Sequence, residues 1–467
     1  LRLAGITDAE TRANAIFNLE VQIAKAQESI VESQDVVRAN NHWTRAEFRN
    51  RAPGLDWDAF FASAGLAQVG RFIVWQPSAF TGLSRLVAGV PLGTWKDWLT
   101  FHRINQYADE LPTGFADAHF NFYGKTLSGT PRQQDIWKRG VRATNAALGD
   151  AVGKLYVAKY FPPTAKAKAE EMVRNIIAAW GKRLDGITWM KPATKAEARA
   201  KLQTLYVGVG YPEKWRDYSG LTVVRGDALG NELRSRLFEY HRSIGRIGQP
   251  VDRHEWSMTP QTVNAVNLPL QNALNFPAAI LGRPFFDAAA VDAFNYGAIG
   301  AVIGHEISHS FDNQGAAFDA TGRLHNWWTK DDLAHFQQSG QALVAQYNAY
   351  APFPDAHVNG EQTMGENIAD NAGLAASYDA WQTSLKTGPA PVRAGLTGTQ
   401  QFFLAFAQTW AVMTREPALR QQLLVDVHAP GEFRALEVRN LDGWYAAFNV
   451  QPGQRQYLAP AARVHVW

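Results

Sequence analysis

The chain has 467 residues, of which 46% are hydrophobic and 19% charged, a composition typical of a folded protein with more than one core. Lys and Arg (46) nearly balance Asp and Glu (43), so the net charge of +3 does not indicate a nucleic-acid or membrane-surface partner. The absence of Cys excludes disulfides, thiolate zinc ligands and a cysteine nucleophile, and no apolar stretch approaches the roughly 20 residues that cross a bilayer.

The N-terminal half carries mostly helix signals. The chain begins with Leu and shows no signal-peptide pattern, so we expect a processed, truncated or otherwise incomplete N-terminus. Two long amphipathic helices are predicted over residues 135–160 and 164–187, separated by Pro162-Pro163. Strand-like segments are few, at 222–225 and 261–268. Capping-box patterns predict helix starts at Thr7, Thr44, Thr94, Thr194 and Thr329.

A turn-rich stretch over residues 244–253, with Gly245, Gly248 and Pro250, is the best candidate for a domain boundary. We expect a helical lobe over 1–245, in which no chemistry is recognisable, and a second domain over 246–467. All the motifs that indicate catalysis lie in the second domain.

The first of these motifs is His305-Glu306-Ile-Ser-His309. On a helix, positions i and i+4 share a face, so the two imidazoles can bind one Zn²⁺, and Glu306 can take a proton from a water at the open position. Three glycines in the apolar run 294–304 each cost about 1 kcal/mol of helix propensity, which predicts the close approach of another backbone. The alternative is a buried helix whose histidines are merely hydrogen-bonded.

A third zinc ligand is expected, and two familiar spacings for it fail. The position for a third His holds Gly315, and no Glu occurs between His309 and Glu361. Glu366 and Asp370 share a helix face, so one carboxylate can bind zinc while the other accepts the ring N–H of a ligating His. Glu361, in a turn-like segment, is the weaker candidate.

Together, these motifs resemble the neprilysin and endothelin-converting-enzyme family of zinc metallopeptidases. The resemblance covers residues 256–467 and lies in ordered motifs at matching spacings. They are His305-Glu-Ile-Ser-His309-Ser-Phe-Asp312, Gly365-Glu366-Asn-Ile-Ala-Asp370-Asn, Val263-Asn264-Ala265, Phe276-Pro277-Ala278, Pro284-Phe285-Phe286, Asp426-Val-His428-Ala-Pro-Gly-Glu-Phe-Arg434 and the final Val-Trp467. Over the N-terminal half the likeness to the family's helical lobe is loose.

The resemblance implies a mainly α fold with a small β component, in which a helical lobe covers the cleft of a zincin-like (thermolysin-like) catalytic domain. It implies one Zn²⁺ per chain, with the following residue roles. The ligands would be His305, His309 and Glu366, the general base Glu306, the residues orienting the ligands Asp370 and Asp312, and the stabiliser of the oxyanion His428.

The resemblance also implies how a peptide substrate binds. Arg434 would bind a substrate carbonyl, while Asn264 and Ala265 would align the peptide backbone. The pocket for the residue after the scissile bond would be apolar, which predicts cleavage on the amino side of hydrophobic residues. Its lining would be Ile280, Phe285, Val302 and Trp410. We therefore expect a zinc-dependent endopeptidase that hydrolyses oligopeptides with a Glu-activated water.

Some features depart from the family pattern. Val266-Asn267 stands where aromatic residues usually follow Asn-Ala, and the absence of Cys suits a bacterial member. A periplasmic or secreted location is expected from the resemblance. Two other classes stay open. One is a different zinc peptidase, such as an aminopeptidase, although the Gly-x-Met-x-Asn signature is absent. The other is a non-enzymatic binding protein that kept the metal site.

Overall fold

The computed structural model describes residues 1–385 and 388–467 and is mainly α-helical. Its α-helices are α1 (Ala9–Ala26), α2 (Ile30–Ser33), α3 (Arg45–Arg51), α4 (Trp57–Ser63), α5 (Pro77–Gly89), α6 (Leu92–Gln106), α7 (Thr113–His119), α8 (Ile136–Tyr160), α9 (Pro163–Gly186), α10 (Pro192–Gln203), α11 (Ala228–Ile244), α12 (Asp292–Asn295), α13 (Ala301–Ser308), α14 (Lys330–Asn348), α15 (Met364–Ser384), α16 (Gly398–Thr409), α17 (Glu416–Val425), α18 (Gly431–Ala435) and α19 (Asp442–Phe448). The strands are β1 (Asn41–Thr44), β2 (Arg71–Val74), β3 (Tyr206–Gly210), β4 (Val266–Leu268) and β5 (Ala273–Pro277).

The chain forms two compact units. The first contains residues 1–147 and 217–250, and the second contains 148–216 and 251–467. In the first unit, β1 and β2 form an antiparallel pair beside a small aromatic core, with α3 and α4 in the connection between them. Edge-to-face ring contacts there, such as Trp43 with Phe48 at 5.0 Å between centroids, favour this packing. The buried members of the core are Trp43, Phe48, Ala52, Trp57, Phe61 and Val74.

The second unit holds the larger core and a three-stranded sheet. Strand β5 is central, parallel to β3 and antiparallel to β4, so β4 lies at an edge. Every residue of β5 is buried, whereas β4 is only partly buried. The core is built mainly from α9, α13, α15 and α16 around aromatic side chains such as Trp180 and Trp381.

Several predicted elements are confirmed. The two long helices occur as α8 and α9 on either side of the Pro162-Pro163 break, and Thr44 and Thr329 cap α3 and α14 as predicted. At Thr94 and Thr194 the predicted starts are wrong, because both residues lie inside helices that begin earlier, next to Pro91 and at Pro192. The segment 222–225 forms no strand, and of 261–268 only β4 does.

The units do not follow the single boundary expected at 245/246. The chain does pass from the first unit to the second nearby, between residues 250 and 251, but residues 148–216 also belong to the second unit. The physical reason is local: α8 has non-helical angles at Leu148, α9 contributes eight buried residues to the larger core, and β3 pairs with β5. Within the described residues, none of the helices is both long and apolar enough to cross a membrane.

Candidate active site

The site is built on two helices whose backbones touch. Helix α12, the π-helical turn Tyr296–Gly300 and α13 follow one another without a break, and α13 packs against α15. A Cβ on Gly304 would overlap the carbonyl of Gly373, and a Cβ on Gly373 would overlap the amide of His305. The predicted close approach at the glycines is confirmed. It brings the residues of both helices within metal-binding distance of one another.

His305, His309 and Glu366 form a group whose ligand atoms lie within 4.8 Å of one another. The two Nε2 atoms are 3.0 Å apart, and Glu366 Oε2 lies 3.1 Å from Nε2 of His305 and 3.4 Å from Nε2 of His309. Glu361 is exposed and is not part of this group, so the structure favours Glu366 as the third ligand.

These residues fit a zinc ion. Nδ1 of each histidine faces a carboxylate, which cannot donate, so Nδ1 carries the proton and Nε2 of the neutral ring presents a lone pair. Two such lone pairs 3.0 Å apart repel each other unless a cation lies near both. Tetrahedral zinc, with bonds of about 2.0–2.1 Å, separates its ligand atoms by roughly 3.3 Å, close to the distances found.

Each histidine is oriented by one aspartate. Asp370 accepts from His305 Nδ1 at 2.8 Å, and Arg434 binds both Asp370 oxygens, at 2.7 and 2.8 Å. Asp312 accepts from His309 Nδ1 at 2.7 Å. Both aspartates are 4% exposed, so these contacts are shielded from water.

Burial and the neighbouring charges set the protonation of the carboxyl groups. Burial alone would raise the pKa of Glu366, but the charge that His309 carries when it is protonated, together with the nearby imidazoles of His305 and His428, holds it well below its usual range. For Asp370, the charge and hydrogen bonds of Arg434 outweigh burial and lower the pKa to about 2. Glu306 differs: burial raises its pKa, which the imidazoles only partly oppose. The group therefore combines ionised ligands with a more basic carboxylate beside them.

His428 enters the site from the loop before α18. Its Nε2 lies 3.1 Å from Glu366 Oε2, while its Nδ1 and its amide both donate to Asp426 Oδ1 at 2.9 Å. Burial lowers the pKa of His428, but the hydrogen bond and charge of Glu366 raise it above the usual value. Arg434 lies with its guanidinium carbon 3.9 Å from the ring centre of Trp410. The structure thus brings His428, Arg434 and Trp410 to the metal ligands.

The other residues expected to bind substrate all belong to the second unit. Asn264 is exposed and Ala265 is buried, and both directly precede the edge strand β4. Val302 is on α13, and the carbonyl of Phe285 accepts from the amide of Ile299 in the helix that leads to α13. Ile280 is 4% exposed and belongs to the core.

Two residues near the site were missed at the sequence level. Asp426 holds His428, and its position two residues before His428 was a signal that could have shown this. Asn267 donates from Nδ2 to the Glu306 carbonyl at 2.7 Å and to Ser310 Oγ at 2.9 Å. The Glu306 carbonyl is one of the last in α13, so Asn267 caps α13 from the edge strand. The only signal was its departure from the aromatic pattern.

Comparison with protein families gives two matches, and both are to models of the same peptidase family. The model of the N-terminal part of peptidase family M13 matches residues 1–212, and the model of peptidase family M13 itself matches residues 264–464.

Individual relatives agree with these matches. A neutral endopeptidase of Lactobacillus helveticus is 33% identical over 100% of this chain and 71% of its own length. An endothelin-converting enzyme homolog of Locusta migratoria is 31% identical over 98% of this chain and 66% of its own length. This chain therefore spans about two thirds of the length of these relatives.

Solved structures with the same fold include zinc proteases. A zinc metalloprotease of Mycobacterium tuberculosis in complex with an inhibitor has a TM-score of 0.94 and 41% identity, covering 98% of this chain and 71% of the other. PEPO from Lactobacillus rhamnosis has a TM-score of 0.89 and 32% identity, covering 98% and 72%. With the two family matches and the metal-ligand group of His305, His309 and Glu366, these likenesses show that the chain belongs to peptidase family M13, a family of zinc metalloendopeptidases.

Proposed function

We propose that this protein is a zinc-dependent endopeptidase that hydrolyses oligopeptides on the amino side of hydrophobic residues, with Glu306 as the general base. The observation that carries the proposal is the position of Glu306. It is 6% exposed, directly follows a metal ligand in α13, and has no side-chain hydrogen bond to the part of the chain that is described. A carboxylate that binds no protein donor is available to a water molecule.

Zinc held by His305, His309 and Glu366 would supply a Lewis acid and lower the pKa of water, as is usual at such sites. Glu306 takes the proton of the attacking water and returns it to the leaving amine. Asp370 and Asp312 keep the ligating rings in the tautomer that leaves Nε2 free.

Two side chains are placed to stabilise charge that develops on the substrate. His428 is anchored through Nδ1 by Asp426, which leaves Nε2 directed at the metal-ligand group, where it donates to the oxyanion. Arg434 is fixed through Nε and Nη2 by Asp370 and by the face of Trp410. Within the described residues its Nη1 has no acceptor, and this nitrogen binds the substrate carbonyl on the leaving-group side.

The edge strand supports the alignment of an extended peptide. The free side of β4 pairs with no other strand among the described residues, and Asn264-Ala265 lead into it. A peptide added there forms strand-like hydrogen bonds, which fix the scissile bond near Glu306. Apolar Ile280, Phe285, Val302 and Trp410 line the pocket beyond the scissile bond and set its preference for hydrophobic residues. We also propose a location outside the cytoplasm, in the periplasm or secreted, which cell fractionation tests.

The substitution Glu306→Gln tests the function. It removes the base but keeps the shape, so we expect zinc and substrate binding to persist while turnover falls about 10²- to 10⁴-fold. Zinc content and cleavage of a peptide library are measured on the same preparation. Matched variants are Glu366→Gln, expected to lose zinc, and Glu361→Gln, expected to keep both zinc and turnover. Turnover retained by Glu306→Gln would contradict the assignment of the base.

A further inference from the structure

Lys201 is a buried cation in a part of the chain where no chemistry was recognisable from sequence. It lies on α10 and is 1% exposed. Its ammonium donates to the carbonyls of Gly315 at 2.6 Å and Phe318 at 2.8 Å, and among the described residues no carboxylate forms a salt bridge with it. Burial lowers the pKa of Lys201 to about 7, although Asp312 and Asp319 act in the opposite direction. An ammonium buried without a carboxylate is unfavourable, so its position calls for a reason.

The two carbonyls belong to the loop that directly follows the catalytic helix. Asp312 begins this loop, and its Oδ1 accepts from the amides of Gln314 at 2.8 Å and Gly315 at 2.6 Å. Its Oδ2 accepts from His309 Nδ1. Gly315 packs so closely on the carbonyl of His309 that a Cβ would overlap it. Its amide therefore holds Asp312, while its carbonyl is held by Lys201.

Other side chains also bind this loop, one at the carbonyl of Phe318 that Lys201 also binds and one at the carbonyl of Ala316. Trp327 Nε1 donates to Phe318 at 3.1 Å, and Trp328 Nε1 donates to Ala316 at 3.0 Å. Among the described side chains, only Lys201 donates to the carbonyl of Gly315. The carbonyl of Gly315 also accepts from the backbone amide of Phe318 at 3.0 Å. The loop as a whole is thus fastened at several points, and Lys201 is the described side chain that binds Gly315, one of the two residues whose amides hold Asp312.

We propose that Lys201 is a positioning residue of the metal site, which holds Gly315 so that Asp312 is presented to His309 in the geometry that zinc binding requires. This inference depends on the proposed function only through the assignment of His309 as a zinc ligand. Lys201 touches neither the ligands nor the substrate. It acts through two successive contacts, from Lys201 to Gly315 and from Asp312 to His309.

The experiment measures zinc release from the folded full chain into an excess of chelator. In Lys201→Met the side chain stays unbranched and is one atom shorter, but it donates no hydrogen bond, so we expect zinc to leave about tenfold faster, the lower end of the range for residues that support ligands. Lys195→Met is the surface control on the same helix, because within the described part of the chain the ammonium of Lys195 binds only the exposed carbonyl of Asp185. We expect its release rate to equal that of the wild type.

A second control separates positioning from general loss of stability. Trp327→Phe removes a donor to Phe318 in the same loop without touching Gly315. We expect this variant to unfold at lower denaturant concentration yet to release zinc at the wild-type rate. If Lys201→Met does not fold, Lys201→Gln, which keeps a neutral N–H donor with shorter reach, is measured in the same way. Wild-type release rates in the folded Lys201 variant would overturn the inference, whereas a wild type that binds no zinc would overturn the proposed function itself.

Discussion

The two zinc-binding histidines are supported by different parts of the molecule. His305 is oriented by Asp370, 65 positions away in sequence, and Asp370 is held by Arg434, a further 64 positions along. His309 is oriented by Asp312, only three positions away, and Asp312 is held by backbone amides of its own loop. One support is therefore long-range and charged, and the other is local and made of peptide groups.

Each support is in turn held by a buried ionisable side chain, which is an acid in one case and a base in the other. Behind Asp370, the neighbouring Asn371 donates to Glu437, which is 1% exposed and also accepts from Tyr347 and Asn440. Behind Asp312 stands Lys201. The two histidines thus have similar geometry although one is held by a charged, long-range contact and the other by local backbone amides. We expect different substitutions and different pH changes to disrupt the two supports.

The largest effect is expected from Asp370→Ala. It leaves the guanidinium of Arg434 buried without its carboxylate and His305 without an acceptor. We expect the free energy of unfolding to fall by about 3–5 kcal/mol and zinc affinity to fall about 10- to 100-fold. Denaturant titration and chelator competition measure the two quantities. Asp355→Ala, which removes the partner of Arg420 from an exposed ion pair, is the control and should leave both unchanged.

A smaller effect is expected from pH, through Glu437. Burial raises its pKa to about 7, and the charge of Asp370 adds to the shift although hydrogen bonds from Asn371 and Asn440 oppose it. Because the folded state binds this proton more tightly than the unfolded state, the unfolding free energy should fall as pH rises from about 4.5 to 7 and stay low above. A shift of this size corresponds to about 3 kcal/mol.

The variant Glu437→Gln mimics the neutral acid and should remove this pH dependence. At saturating zinc, its stability relative to the wild type should improve by up to about 3 kcal/mol between pH 5 and pH 8. Denaturant titrations at a series of pH values measure this difference. Glu432→Gln, an exposed position nearby, is the control. Parallel stability profiles for Glu437→Gln and the wild type would show that Glu437 is not the titrating group.

The smallest effect is expected from Asp312→Asn. The amide oxygen can still accept from Gln314 and Gly315, but the amide nitrogen cannot accept from His309. We expect zinc affinity to fall about tenfold while the free energy of unfolding changes by about 1 kcal/mol or less. Asp319→Asn, in the same loop, is the control. If Asp312→Asn lowered the free energy of unfolding as much as Asp370→Ala, the contacts of Asp312 would stabilise more of the protein than its own loop, contrary to the proposal.

Sequence patterns could predict the elements that depend on near neighbours. The i, i+4 spacing of His305 and His309 and the helices on either side of Pro162-Pro163 follow from local periodicity, and the structure has both. The glycines of the run 294–304 predicted a close backbone approach, although not that Gly373 would be the partner of Gly304. Helix spacing singled out Glu366 and Asp370 as a pair and left Glu361 as the weaker candidate, and the family resemblance assigned Glu366 to the metal and Asp370 to His305.

What could not be predicted depends on pairing between distant segments. Strand β5 was missed because it is buried throughout and shows no alternation, and β3 because the strand it pairs with, β5, lies far along the chain. Lys201 looks like a solvated residue on a charged helix face until α10 packs against the loop after Phe311. Glu437 has no sequence signal, since its partners Asn371 and Tyr347 come from two other helices.

The long-range support of His305 also bears on the order of events during folding. The two histidines come together as soon as α13 forms, but Glu366, Asp370 and Arg434 arrive only when segments distant in sequence have docked. Such contacts form late, since the loops between them must close first. We therefore expect the complete metal site to form after the early folding nucleus. Zinc bound to the finished site then prolongs the lifetime of the native state by slowing unfolding, while leaving the rate of folding almost unchanged.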